Sequence, residues 1–175
     1  QAAIAIANAR LFNDLDRALE RQRAMTDVLD AVSTARDDLQ PVYDAVARHA
    51  ANLCHGASVG LFVRQGSNLV GAADEGPHLP VFADQAAGRE FLIGRVWPLD
   101  EDTPMAEACR TGRPVHIRDW DEVPPDTFRD TVMRNVGRRT ALSLPLMRNH
   151  ETVGVINIGR VEPGGFSDDE LSLLQ

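Results

Sequence analysis

Histidine and cysteine are the side chains in this sequence that most often catalyse reactions or bind metal ions. The chain carries five histidines and two cysteines, which are His49, His55, His78, His116, His150, Cys54 and Cys109. The histidines show no HExxH motif and no other spacing typical of metal ligands, and two cysteines cannot supply a zinc quartet. Both cysteines fall in apolar helical surroundings, which favours small core side chains. The sequence therefore predicts no metal site.

The other candidates for catalysis lack the sequence context that their chemistry needs. Ser143 lies in LSLPL and not in the Gly-x-Ser-x-Gly turn that exposes a nucleophilic serine. All 18 basic residues are arginine, which excludes a P-loop lysine and a Schiff-base lysine. The acidic run 100–102 is typical of a solvated loop. We therefore expect no catalytic residue and no enzyme active site in this chain.

Composition and charge narrow the class of protein. The 175 residues are 43% hydrophobic, which is enough for one domain core and an additional element. The net charge of −8 argues against nucleic acid and against phosphate-rich membrane surfaces as partners. No apolar run approaches the roughly 20 residues that cross a bilayer. We expect a cytoplasmic location, with no nucleic acid and no membrane contact from this segment.

The first 36 residues carry an apolar stripe with alternating spacings of four and three. The stripe consists of Ile4, Asn8, Leu11, Leu15, Ala18, Gln22, Met25, Leu29 and Val32. This pattern is typical of a coiled-coil seam, and polar seam residues such as Asn8 and Gln22 tend to fix register. The pattern predicts a connecting helix over 1–36 that forms a parallel homodimer through residues 4–32. The alternative is a helix that lies on its own domain.

The rest of the chain alternates between helix and strand patterns. We predict helices at 39–53 (capped by Asp37–Asp38), 103–112, 125–135 and from Ser167. We predict strands at 57–64, 68–74, 114–119, 139–148 and 152–161. A long irregular segment is expected at 75–102. Sequential hairpins with segregated helices indicate an α+β fold. We expect an antiparallel sheet of five or six strands, with helices 3–33, 39–53 and the start of 167–175 on one face.

Three stretches of the sequence resemble a GAF domain. They are RTALSLPLMRNHETVGVINIGR at 139–160 followed by GGFSDDELSLLQ, AEACRTGRPVHIRD at 106–119, and LQPVYDAVARHAANLCHGASVGLFV at 39–63. The resemblance covers about 39–175 and implies a GAF-type domain over 37–175. In such proteins the last helix commonly continues into a segment similar to QAAIAIANARLF. We therefore expect residues 1–12 to be the tail of an upstream module in a longer signalling protein.

Two ligand classes of GAF relatives lack their motifs here. Chromophore-binding relatives carry a Cys-His pair near the helix that corresponds to 127–135, whereas Cys54-His55 precedes the predicted sheet. Cyclic-nucleotide relatives carry an Asn-Lys…Phe-x-x-x-Asp-Glu signature. Here one residue is missing between Phe166 and Asp169-Glu170, and the chain has no lysine. We expect no covalent bilin and name no cyclic nucleotide, so the cofactor stays unknown.

The resemblance places a small-molecule pocket on the sheet face opposite the terminal helices, under a loop and short helices. Ser143 and Asn157 interrupt strands that should be almost entirely apolar when both faces are buried. The residues expected to form the roof are Trp97, Asp119, Trp120, Phe128 and Arg129. A few polar groups that converge on an apolar cavity are typical of a ligand site. The alternative for each residue is an ordinary place in the core or on the surface.

The resemblance implies a sensory domain of a bacterial signal-transduction protein, in sensor histidine kinases more often than in nucleotide cyclases. Binding of an unidentified small molecule would change helix packing in the dimer and bias an output domain outside this chain. A ligand-free spacer for dimerisation and transmission is the alternative. A redox enzyme that uses Cys54 or Cys109 is a third.

The predicted seam can be tested by placing charged residues in it. Leu15→Asp combined with Leu29→Asp should convert a dimer into a monomer whose sheet domain stays folded, because each large apolar side chain contributes roughly 1.5–3 kcal/mol when buried. Analytical ultracentrifugation measures the mass of the particle in solution, and circular dichroism shows whether the domain is folded. Arg17→Asp and Asp27→Arg, which lie off the seam, are the matched control. A wild-type chain that is monomeric at high micromolar concentration would contradict the seam.

Overall fold

The computed structural model describes residues 39–55, 57–77, 82–128 and 137–174. Its helices are α1 (Gln40–Leu53), α2 (Gln85–Leu92), α3 (Pro104–Thr111) and α4 (Asp168–Leu173). Its strands are β1 (Ser58–Gln65), β2 (Asn68–Glu75), β3 (Val96–Pro98), β4 (Val115–Ile117), β5 (Thr140–Arg148) and β6 (Glu151–Arg160). The predicted helix 3–33 and its seam lie outside the described residues. No helix within the described ranges is long and apolar enough to cross a membrane.

The six strands form one antiparallel sheet in the order β3-β2-β1-β6-β5-β4. This confirms the α+β class and the predicted sheet. The hairpin between β5 and β6 turns at Asn149 and His150, whose φ angles are 51° and 67°. Positive φ at both central residues matches the twist of a two-residue hairpin, and asparagine tolerates this conformation better than most residues.

Helix α1 packs closely on one face of the sheet because its inward side chains are small. Ala47, Ala50 and Ala51 are buried against β1, β2 and β6. The helix begins with Leu39 as its N-cap, with no side-chain hydrogen bond to the cap and with Pro41 in the first turn. The predicted Asp37–Asp38 cap lies outside the described residues.

The same face also carries the last helix, as predicted. Phe166 is buried in the core cluster that contains the α1 alanines, and Leu171 and Leu174 pack against it. Ser167 and Glu170 form a reciprocal capping box at the start of α4. We call this the helix face.

The opposite face, which we call the covered face, carries α2 and α3. Helix α2 packs on β2, and α3 packs on β4, β5 and β6. Helix α3 has the predicted Thr103 cap, and Gly112 ends it with a left-handed φ of 63°. The prediction of an irregular segment over 75–102 was wrong, because α2 and β3 lie inside it. Helix α2 has only eight residues and an internal glycine, so its helical periodicity is too short to be read from the sequence.

The predicted helix 125–135 is not seen where the structure describes that part of the chain. Residues 125–128 form turns and bends, and a short 3₁₀ helix at Trp120–Glu122 precedes them. The remainder of the predicted helix lies outside the described residues.

Arg160 ties α1, β6 and α4 together at the end of the sheet. Its Nη2 donates a hydrogen bond to the Cys54 carbonyl oxygen at 2.9 Å and another to Glu170 Oε1. The guanidinium lies over the Phe166 ring, 4.4 Å from its centroid. Burial opposes ionisation of Glu170, but hydrogen bonds from Arg160 and Ser167 outweigh it and lower its pKa to about 2.

Removing the charge of Glu170 should weaken this junction. We expect Glu170→Gln to lower the free energy of unfolding by about 1–2 kcal/mol at neutral pH, because a charge-assisted hydrogen bond is lost. The folded pKa lies below the ordinary value of 4.5, so the contribution is complete above that value and is lost as pH falls toward about 2. Urea denaturation measures the free energy of unfolding and its dependence on pH. Asp168→Asn, on the exposed side of α4, is the control. An equal effect of the two variants would contradict the assignment.

Candidate functional site

Polar side chains converge at the middle of the covered face. Asp74 on β2 pairs with Gly60 on β1, Gly60 pairs with Asn157 on β6, and Asn157 pairs with Ser143 on β5. These residues therefore form one row across four strands on one side of the sheet. A Cβ at Gly60 would come within 2.8 Å of Leu92, so α2 lies directly over this row.

Ser143 and Asn157 hydrogen-bond to each other. The Ser143 hydroxyl donates to Asn157 Oδ1 at 3.1 Å, and both side chains are buried. The sequence singled out both residues, and the structure brings them together in adjacent strands. Whether they also contact a ligand stays a prediction.

Arg138 lies beside this row although it carries a charge. Its Nη2 donates to the Ser58 hydroxyl at 2.7 Å, and the residue is only 5% exposed. The side chain lies flat on Gly159 of β6, where a Cβ would come within 2.5 Å of Arg138 Cδ and Nε. Glycine at 159 is therefore what allows an arginine to enter the covered face. We call Ser58, Asp74, Arg138, Ser143 and Asn157 the polar patch.

Asp74 supplies a negative charge to the polar patch. Its Oδ2 lies 3.6 Å from the position that a Cβ at Gly88 would take, which puts the carboxylate against α2. Burial raises the pKa of Asp74 to about 6, although the charges of Arg138 and Arg89 oppose this rise. Burial lowers the pKa of Arg138 to about 10, and Asp74 opposes that fall. At neutral pH the patch therefore holds one positive and one negative charge.

Aromatic side chains form a cluster on the covered face beside the patch. Trp120 and Phe128 meet edge to face with ring centroids 6.2 Å apart, in a cluster with Ile117 and Ala141. Phe82 packs against this cluster, and its ring centroid lies 5.1 Å from that of Phe91 on α2. Phe82 thereby joins α2 to the Trp120 cluster. Trp120 and Phe128 were predicted as roof residues, and they lie together in that cluster.

One predicted roof residue, Trp97, lies in another cluster. Trp97 on β3 packs edge-on against Phe62, with centroids 4.9 Å apart, in a separate apolar cluster that includes Leu69 and Val155. Arg129 lies outside the described residues. Trp97 was grouped with Trp120 because both were expected in the loop and helix that form the roof of the pocket, whereas Trp97 lies on β3 at the edge of the sheet beside β2.

Asp119 forms an ion pair outside the polar patch. Arg139 donates from Nε to Asp119 Oδ1 at 2.8 Å and from Nη2 to Oδ2 at 2.6 Å. These hydrogen bonds lower the pKa of Asp119. Its Oδ1 also caps the 3₁₀ helix by accepting from the Asp121 N–H. The geometry assigns Asp119 to holding the 3₁₀ helix against the start of β5.

Sequence reasoning missed Ser58, Asp74 and Arg138. Ser58 and Asp74 lie near strand ends, where polar residues are common, and Arg138 stands beside another arginine. A regular β1–β2 hairpin would place Asp74 opposite Val59, and the β-bulge between Leu61 and Phe62 shifts it opposite Gly60. No local signal marks Arg138 as buried, because its burial depends on Gly159, twenty-one residues later in the chain.

An open cleft of about 740 Å³ lies at the other end of the sheet, beside the β1–β2 and β5–β6 turns. Arg64, Cys109, Arg110 and Met147 are among its lining residues. A neighbouring cleft of about 640 Å³ shares Arg64 and Arg110. Neither contains a residue that the sequence predicted for the site or a member of the polar patch.

The chain belongs to the GAF domain family, whose profile matches residues 37–175. No curated protein matches the chain in sequence. Among solved structures, the GAF domain of a phosphoenolpyruvate-protein phosphotransferase from Acinetobacter is 12% identical with a TM-score of 0.64, over 90% of this chain and 85% of that one. The corresponding domain from Coxiella burnetii is 15% identical with a TM-score of 0.64, over 90% and 87%.

The fold also occurs in an enzyme. The free methionine-R-sulfoxide reductase of Neisseria meningitidis, solved in complex with its substrate, is 18% identical with a TM-score of 0.58, over 91% of this chain and 83% of that one. At these identities the likeness establishes the shared fold alone. GAF domains are generally regulatory, and the function of this one has to be argued from its own residues.

The charge of Asp74 should leave a signature in the pH dependence of stability. Its folded pKa of about 6 exceeds the ordinary 3.8, so the folded chain binds more protons between these values. Its contribution to stability therefore falls as pH rises from about 4 to about 6 and stays reduced above that. This pH-dependent change in the free energy of unfolding, about 1–3 kcal/mol, should be absent in Asp74→Asn.

Urea denaturation between about pH 4 and pH 8 measures the slope. Glu90→Gln, an exposed carboxyl on α2, is the matched control and should leave the slope unchanged. A wild-type slope that persists in Asp74→Asn would show that Asp74 titrates normally.

Proposed function

We propose that this chain is a sensory domain that binds a small molecule on the covered face of its sheet. The observation that carries the proposal is the polar patch, in which five polar side chains lie on one sheet face beside α2 and the cluster of Trp120 and Phe128. A few convergent polar groups in an apolar surrounding, with shifted pKa values, are typical of a binding site. A domain that needed only stability would do as well with apolar side chains there.

Within this proposal the predicted site residues have different roles. Ser143 and Asn157 contact the ligand, and Trp120, Phe128 and Arg129 cover it. Trp97 and Asp119 act at a distance, because they hold β3 and the 3₁₀ helix in place. Arg138, Asp74 and Ser58 join the contacting set. The cofactor or ligand is proposed to be a freely exchanging small molecule, with no covalent bilin and no metal.

Strand β6 provides a route from the site to the helices. Gly159 supports Arg138 on the covered face, and the next residue, Arg160, bonds to Cys54 and Glu170 on the helix face. A ligand that moves Arg138 therefore acts on a strand that holds both α1 and α4. Such a change biases helix packing only as far as the ligand prefers one of two states.

A second contact, on the helix face, links strand β4 to α4. His116 on β4 accepts a hydrogen bond at Nε2 from the Phe166 N–H at 3.0 Å. Burial and the charge of Arg118 lower the pKa of His116, which keeps the ring neutral and able to accept. Phe166 directly precedes the cap of α4, so a shift of β4 acts on the start of that helix.

For the parent protein we propose a bacterial cytoplasmic signal-transduction protein, with a sensor histidine kinase as its output. The resemblance of the motifs supports this, together with membership in the GAF family. The homodimer through residues 4–32 is proposed from the apolar seam. In that arrangement the seam helices receive the change in packing at α1.

The two alternative functions are a ligand-free spacer and a cysteine redox enzyme, and the structure bears on them differently. The spacer is favoured by the apolar cluster at Trp97, where Phe62, Leu69 and Val155 fill the covered face next to the polar patch. The cysteine redox enzyme is disfavoured because burial raises the pKa of Cys54 to about 11 and raises that of Cys109. A buried thiol that stays protonated is a poor nucleophile.

Ligand binding can be detected by stabilisation of the wild-type chain. At a concentration of 100 times Kd a ligand adds about 2.7 kcal/mol, so a metabolite library should contain a compound that raises Tm by about 5 °C or more. Ser143→Ala combined with Asn157→Leu should abolish that rise. Because both hydrogen-bond partners are replaced together, no buried polar atom of this pair is left unsatisfied and the fold should persist.

Arg110→Met is the matched control, because Arg110 lines both open clefts and lies away from the polar patch. If that variant loses the response and the double variant keeps it, the ligand binds in a cleft and the proposed site is wrong. A library without any stabilising compound would favour the spacer.

A further inference from the structure

Two arginines lie at the boundary between the two open clefts at the end of the sheet. Arg64 on β1 and Arg110 on α3 line both the larger cleft of about 740 Å³ and the smaller one of about 640 Å³. The charges of both arginines act on the Cys109 thiol, which lines the larger cleft, and oppose the rise of its pKa. The two guanidinium groups therefore lie on the same part of the surface. We call Arg64 and Arg110 the cleft arginines.

Main-chain carbonyl groups hold both guanidinium groups in place. Arg64 donates from Nη1 to the Thr152 carbonyl oxygen at 3.4 Å and from Nε to a carbonyl oxygen of the β1–β2 turn at 3.2 Å. Arg110 donates from Nη1 to the carbonyl oxygens of Leu99 and Glu101. Among the described residues no hydrogen bond uses Nη2 of either arginine. Each guanidinium is therefore positioned and still has donors for a ligand.

No carboxylate of the described residues neutralises the cleft arginines. The ion pairs that arginines form there belong to Arg48, Arg89, Arg139 and Arg160. Glu151 lines the larger cleft and Asp100 the smaller one, but neither pairs with a cleft arginine. Two positive charges on one part of the surface repel each other, although the chain as a whole has a net charge of −8. An anion that binds to both guanidinium groups removes this repulsion.

Exposed apolar side chains line the larger cleft together with the cleft arginines. Met147 is 49% exposed and Val153 is 41% exposed, and both belong to its lining with the half-buried Val63. Apolar side chains that are exposed in a concave site, rather than singly on a convex surface, are typical of a place where a ligand binds. The larger cleft therefore offers positive charge and apolar surface to one molecule.

We propose that the larger cleft is a second binding site, for a small phosphate monoester with an apolar body. Its phosphate group accepts hydrogen bonds from both cleft arginines, and its body covers Met147 and Val153. A phosphate monoester carries a charge of about −1.5 to −2 at neutral pH and has three acceptor oxygens, so two planar guanidinium forks can bind it together. A carboxylate has a single charge and two oxygens, which one fork satisfies. This site lies apart from the polar patch and does not depend on the proposed function.

Phenyl phosphate is the probe, titrated into the wild-type chain by calorimetry at low ionic strength. It should bind roughly tenfold more tightly than phenyl sulfate, which has the same ring and one negative charge fewer. It should also bind more tightly than inorganic phosphate, which cannot cover Met147 and Val153. Equal binding of the two esters, equal binding of inorganic phosphate, or no binding of phenyl phosphate would each overturn the proposal.

Substitutions then locate the bound phosphate. Arg64→Met and Arg110→Met should each weaken binding of phenyl phosphate roughly tenfold, and Arg64→Lys, which keeps the charge without the fork, should weaken it less. Glu151→Gln should strengthen binding, because it removes a negative charge from the lining. Arg48→Met, which removes an exposed positive charge on α1, is the matched control and should bind like the wild type. If it weakens binding as much as Arg64→Met does, the total charge and not the cleft attracts the probe, and the proposal is wrong.

The Ser143→Ala and Asn157→Leu double variant separates this site from the polar patch. It should bind phenyl phosphate like the wild type, because neither residue lines the cleft. If the double variant loses phenyl phosphate and Arg64→Met keeps it, the phosphate binds at the polar patch. That result would overturn the second site and support the sensory proposal. Compounds without a phosphate group report on the polar patch, so the two proposals can fail separately.

Discussion

The middle parts of strands β1 and β6 are covered on both faces, so the polar side chains that are buried there must find their partners inside the protein. On the helix face these middle parts present apolar residues such as Val59, Leu61 and Ile158. On the covered face they carry Ser58 and Asn157, whose partners come from outside these two strands. The polar patch is the consequence of placing polar side chains at the centre of a sheet with two buried faces.

Arg138 can be buried because nearby strand residues are glycines without side chains. Gly159 leaves the space in which the arginine lies, and Gly60 leaves space under Leu92. Transferring a guanidinium into this interior costs free energy that Asp74 and Ser58 only partly offset. An apolar side chain of similar size would avoid that cost. Stability alone therefore does not account for an arginine at this position.

In the proposed function, one strand takes part in both recognition and transmission. Successive residues of a strand point to opposite faces, so Gly159 and Arg160 act on different sides of β6. Gly159 contacts the arginine of the patch, and Arg160 holds the end of α1 and the start of α4. The route from the site to the helices is therefore only one residue long.

Local patterns were enough to predict the elements whose ends are marked by short-range chemistry. Thr103 and Gly112 bound α3, Ser167 caps α4, and Asn149-His150 turns the β5–β6 hairpin, all within a few residues of the groups that they satisfy. Ser143 and Asn157 could be found because they interrupt apolar strands. Helix α2 could not, since eight residues carry too little periodicity to distinguish a helix from a loop.

Other features were decided only by the tertiary structure. Asp74 and Arg138 enter the site through strand register and through glycines far along the chain, which no local pattern encodes. Trp97 and Asp119 were predicted to lie with Trp120 and Phe128, whereas strand pairing places Trp97 on β3 and an ion pair with Arg139 holds Asp119. The register between strands, and not the spacing along the chain, determines which side chains of different strands share a row.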